Sequence, residues 1–138
     1  MNDTTRAAEP LTNPTIEALE RGLKLIDAPK RWLQRTDIQL LDGGREAMCS
    51  RHAANEAAGV DADLRGRVMA ALCAAAVELD PHVVERPPAY GTACEDHIVV
   101  IAFNDAHDHS MVVAMWEIAI VNEQCALRLE RQLAGAAT

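Results

Sequence analysis

The chain has 138 residues, enough for one ordinary domain with its own core and too few for two. Apolar residues make up 49% of it but aromatics only 3%, which favours close-packed helices over a β-sandwich and leaves little on which nucleic-acid bases could stack. The formal charge of −8 removes the attraction that dominates nucleic-acid affinity, so the expectation is no direct nucleic-acid binding.

Residues 1–12 are polar and aperiodic and read as a disordered tail. They lack the apolar stretch of a signal peptide, and the longest uninterrupted apolar run, residues 68–77, is mostly alanine and too short to span a membrane. The expectation is a cytoplasmic protein in which Cys49, Cys73, Cys94 and Cys125 are reduced thiols. One helical domain is expected over residues 13–134, with a short tail at 135–138.

Asn13 followed by Pro14 predicts a helix start, because the Asn side chain can accept an orphan backbone N–H and proline needs no donor in the first turn. Ile16, Leu19, Leu23 and Ile26 then share a face, and Pro29 closes the helix. Residues 31–44 mix Trp32, Ile38, Leu40 and Leu41 with polar residues and end in Asp42, Gly43 and Gly44, the pattern of a short strand or irregular ribbon closing in a turn. An alanine-rich helix is predicted over 45–58, ended by Gly59 as a left-handed cap. Asp61 caps a third helix whose buried face is Leu64, Val68, Leu72, Ala75 and Leu79, stopped by Pro81. Residues 81–92, with Pro87, Pro88 and Gly91, form the one long loop. Residues 97–104 are apolar enough for a buried strand or a buried helix, and periodicity does not separate the two. Asp108 or Ser110 caps a last helix over about 111–133, with Val112, Val113, Trp116, Ile120 and Leu127 toward the core. The fold class is therefore all-α, a compact bundle of four or five helices with one short irregular ribbon. Either a monomer or a homodimer fits, the latter through spare apolar surface at Met115 or Ile118.

Three pieces in this order resemble an uncharacterised family of small helical domains common in actinobacteria and their phages: a first helix leading into a tryptophan (residues 19–32), a cysteine-bearing alanine-rich helix (residues 49–57), and the run Ile101, Ala102, Phe103, Asn104, Asp105 before an amphipathic helix. The Asn-Asp pair after an aromatic residue is the most recognisable element. The resemblance implies a mainly α fold, favours helix over strand at 97–103, and implies no activity. From the residues alone, Asn104 and Asp105 suit a helix C-cap and connector, since both tolerate left-handed backbone and short polar turns.

Catalytic templates are missing: no Gly-x-Ser-x-Gly elbow, phosphate-cradling glycine loop or dinucleotide fingerprint occurs. Two Cys-x-x-His pairs, Cys49 with His52 and Cys94 with His97, could together supply the two thiolates and two imidazoles of a tetrahedral zinc site. Asp105, His107, Asp108 and His109 lie within five residues, a composition able to hold a divalent metal, but the partners of a metallohydrolase do not follow, and a solvated loop capping the last helix accounts for them better.

The charge is strongly segregated. Residues 78–123 carry nine acids against one base, Arg86, while the rest of the chain is close to balanced. Such a field steers basic partners. The expected function is a non-enzymatic acidic interaction module, a phage- or mobile-element-type regulator or inhibitor that docks on the basic surface of a nucleic-acid-binding protein through Glu95, Asp96, Asp105, Asp108 and Glu117, without a cofactor. The alternative is a zinc-binding domain or metal-dependent enzyme built on Cys49, His52, Cys94 and His97.

Overall fold

A computed structural model describes residues 10–36, 38–40, 46–85 and 95–137. The expected tail up to residue 9, the Asp42, Gly43, Gly44 turn, and residues 86–94, which take in most of the long loop and also Cys94, lie outside the described residues. Helix α1 spans Pro14–Ile26 and starts as its sequence demands, with the Ile16 N–H donating to Asn13 Oδ1 at 2.9 Å. Its stripe of Ile16, Leu19 and Ile26 is fully buried. A single 3-10 turn, Pro29–Arg31, follows.

The ribbon is larger than expected at the expense of the next helix. Strand β1, Ile38–Leu40, pairs antiparallel with β2, Glu46–Met48, with Ile38 opposite Met48. Helix α2 is Ser50–Ala58, so the helix expected from residue 45 begins five residues late. The cause is tertiary: Ala47 and Met48 are buried, and Met48 O also accepts the Leu33 N–H at 3.1 Å, so residues 46–48 are held extended from both sides. Helical propensity, worth a few tenths of a kcal/mol per residue, yields to that packing and pairing. Cys49 becomes the N-cap of α2, its Sγ accepting the His52 N–H at 3.5 Å. Gly59 ends the helix at φ +68°, a backbone state open to glycine.

Helix α3, Ala62–Leu79, is capped by Asp61, which accepts the Leu64 N–H at 3.0 Å. Leu64, Val68, Leu72 and Ala75 are buried as the spacing predicts. A 3-10 turn at Val83–Glu85 docks the start of the long loop by burying Val83. The ambiguous apolar run is helical: α4 spans Asp96–Ala106. Helix α5, His109–Ala137, is the longest at 29 residues.

The described chain is thus a mostly helical fold of five helices and one two-stranded ribbon. Helix α1 packs on α2 and α5, and α3 packs on α4 and α5. Trp116, Phe103, Leu19, Leu72 and Met48 fill the shared core. Met115, offered above as dimer surface, is fully buried, and Ile118 is partly covered by the core. Gly22 is where α1 meets the Trp116 ring: a Cβ there would lie 2.5 Å from Trp116 Cζ3, so only glycine lets the indole sit this close. Beyond the core α5 continues with Val121, Leu129 and Leu133 exposed. None of the described helices is long and apolar enough to cross a membrane.

Candidate functional site

The polar groups the sequence singled out converge at the C-terminal end of α4, and Asn104 is their centre. It is fully buried, inside the helix rather than at its cap, so the connector role expected for it is corrected. Its Oδ1 accepts the Trp32 indole N–H at 2.8 Å, the Ser50 N–H at 3.0 Å and the Ser50 hydroxyl at 2.8 Å. Its Nδ2 donates to Leu33 O at 2.8 Å. The Trp116 indole N–H donates to Ser50 Oγ at 3.2 Å, which joins both tryptophans to one amide. A buried amide is tolerated only when its donors and acceptors are matched, and here they are. One side chain therefore ties the segment after α1, the start of α2, α4 and α5 together.

The next residues extend this clamp. Asp105 Oδ1 accepts the Arg35 N–H at 2.8 Å, and Gln34 Nε2 donates to His107 O at 2.6 Å. Arg35 is held at φ +62°, the left-handed region that L side chains rarely adopt. His107 and His109 do not share a site. The His107 ring lies on Phe103 with centroids 4.3 Å apart and meets Asp80 Oδ2 at 2.8 Å through Nε2. His109 Nε2 instead meets Ile26 O at 2.7 Å. Asp108 caps α5, and the Met111 N–H, followed by the Ser110 hydroxyl, holds its carboxyl below the ordinary 3.8.

Two concavities flank the other side of α4. A cavity of about 480 Å³ lies between the Arg35 segment, the start of α2 and α4, lined by Arg35, Thr36, Cys49, Arg51, His97 and Asn104 among others. A groove of about 410 Å³ shares Arg51 and His97 with it and reaches α3 at Arg65 and Met69. Neither cavity was legible in the sequence, since their lining comes from four separate segments. The one available signal was Asn104 itself, a polar residue directly after the apolar run 98–103, where an amide can be buried and bonded.

The five carboxylates nominated for partner contact lie at the two ends of α4, at the cap of α5 and on α5 itself. Glu95 and Asp96 stand exposed at the start of α4, and Glu95 pairs with His97 at 3.3 Å. Asp105 and Asp108 serve the backbone bonds just described, and Glu117 is exposed on α5. Asp80, also in the acidic stretch, is buried against His107. Asp96 approaches Cys73 of α3, whose thiol is pushed up to about 11 by burial first and then by the Asp96 charge and hydrogen bond. Of the nominated metal ligands, Cys49 is buried at the α2 cap and shares the cavity wall with His97, His52 is half-buried, and Cys94 lies outside the described residues. Among the described residues no three His, Cys, Asp or Glu side chains gather as a metal site would require.

The model of a family of unknown function, DUF6197, matches residues 10–122, and the chain belongs to that family. The matched span takes in Trp32, Ser50, Asn104 and Trp116, the whole buried network. Comparisons with curated proteins and with solved structures each return no match.

Proposed function

Since the family has no assigned function, we propose one from the chemistry of this surface: a non-enzymatic interaction module that docks on a basic protein surface. The observation that carries it is the division of polar groups. Asn104, Ser50, Asp80 and His107 make buried bonds that hold separate segments of the fold together, whereas Glu78, Glu95 and Asp96 keep exposed carboxylates at the surface, beside Asn122, His97 and Cys73 respectively. The docking face is the outer side of α3. There Ala70, Ala74 and Glu78 are exposed at helical spacing, beside Cys73 and Val77, which are half-buried against the core, and Asp96 lies against Cys73. Small side chains between carboxylates let a cationic partner approach closely, and charge steers the encounter. The resemblance to phage-borne domains supports a regulator that occupies a nucleic-acid-binding surface, with carboxylates standing where phosphates would.

The test is affinity capture at about 50 and 500 mM salt, across which exposed charges are screened. The expected result is a basic partner retained at low salt, released at high salt, and lost in a Glu78→Lys/Glu95→Lys variant. A Glu17→Lys/Glu20→Lys variant, equal in net charge but altered on α1, should retain it. Equal capture by both variants contradicts the proposed face.

A further inference from the structure

We propose that the 480 Å³ cavity beside α4 is a binding site for a small phosphate monoester, its phosphate held by Arg35 and Arg51 and its organic part against Ile98 and Ile101. The volume falls within the roughly 300–1,000 Å³ of small-molecule sites, and the wall joins apolar residues to a few charged ones, as such sites do. The charge at this place runs against that of the chain. In a protein of net charge −8, the described residues lining the cavity include Arg35, Arg51 and His97 against one carboxylate, Asp105. That carboxylate is occupied: its Oδ1 accepts the Arg35 N–H at 2.8 Å and lies 3.4 Å from Asn104 Nδ2. His97 also meets Glu95 at 3.3 Å, so it completes the rim rather than anchoring the anion. Guanidinium groups present planar N–H forks that match phosphate oxygens, and their several donors let Arg51 meet a phosphate oxygen beside the contact it already makes.

Arg35 supplies the second, independent observation. Its backbone is left-handed, at φ +62°, a conformation that glycine takes without strain and arginine does not. Gln34 and Asp105 lock that turn across the end of α4, which places the Arg35 side chain at the cavity. Strain kept at the mouth of a cavity by a charged side chain is the pattern of a preorganised ligand site. Among the described residues the only polar contact of Arg35 is made by its backbone N–H, which a glycine would preserve.

Calorimetric titration at low ionic strength, with phenyl phosphate, inorganic phosphate and benzoate as probes, tests the site. The expected result is saturable one-to-one binding of phenyl phosphate, tighter than either other probe. In Arg35→Gly it should weaken about tenfold or more, the loss of one charge-assisted pair, while Tm stays level or rises. Arg51→Gln, read by the same titration, should weaken it likewise. Absence of saturable binding, undiminished binding in Arg35→Gly, or benzoate binding as tightly as phenyl phosphate would overturn the proposal.

Discussion

The two ends of α4 use charged and polar residues in opposite ways. At its C-terminal end Asn104, Asp105 and His107 each have a partner inside the protein, and the helix closes on a buried amide shared by two tryptophans. At its N-terminal end Glu95, Asp96 and His97 stand at the surface, beside grooves lined by arginines from other segments. Residues of similar chemistry, about nine positions apart, thus tie distant segments together at one end and contact near neighbours at the surface at the other. Composition marks both ends equally; burial separates them. A chemically conspicuous motif becomes a functional candidate only once its hydrogen bonds have been traced.

The contrast breaks first at Asn104. Replacement by Leu leaves the Trp32 indole and the Ser50 N–H without their acceptor and Leu33 O without its donor. Each unmatched buried group costs about 1–3 kcal/mol, so a loss of about 3–5 kcal/mol is expected by urea denaturation, or no folded protein. Gly22→Ala attacks the same network from behind by driving a methyl into the Trp116 ring, at about 1–3 kcal/mol. Glu95→Lys, at the other end, should stay within about 0.5 kcal/mol of wild type, since that side chain is largely solvated. A loss there comparable to that at Asn104 would erase the distinction.

Two smaller effects sharpen it. The Asp108 carboxyl is bound more tightly by protons in the unfolded chain than in the folded one, because the cap bonds to Met111 and Ser110 lower its folded pKa. Its contribution is present above the ordinary 3.8 and is lost as pH falls through the lower folded value. The stability gap between wild type and Asp108→Ala should therefore be full at pH 7 and narrow below pH 3.8 in acid unfolding curves. At the other end of α4, Cys73 should resist a thiol reagent at pH 8, its thiol being pushed up to about 11, while exposed Cys125 reacts readily. Mass spectrometry of the labelled peptides distinguishes the two.

Much of the helical frame was legible because its signals are local. Asn13, Asp61 and Asp108 cap their helices through side-chain oxygens, and the apolar stripes of α1 and α3 are buried where their spacing puts them. Residues 46–48 misled for a non-local reason: an alanine-flanked stretch reads as helix until β1 and Leu33 claim its backbone. Periodicity left 97–104 open, and packing on α3 made it helix. The network around Asn104 was half legible. Two indoles that need acceptors and one amide in an apolar run are visible in sequence, but their meeting across 72 residues, from Trp32 to Asn104, is a product of the fold. The cavity was invisible for the same reason: Arg35, Arg51 and His97 come from three separated segments.

The most direct test of the account is hydrogen exchange at the two indole N–H groups, followed by NMR in the intact protein. If Asn104 and Ser50 hold both tryptophans, the two indole protons exchange slowly, and Ser50→Ala speeds Trp116 more than Trp32, whose bond runs to Asn104 directly. Rapid exchange of both indoles in the wild type would contradict the buried network and, with it, the division of labour along α4.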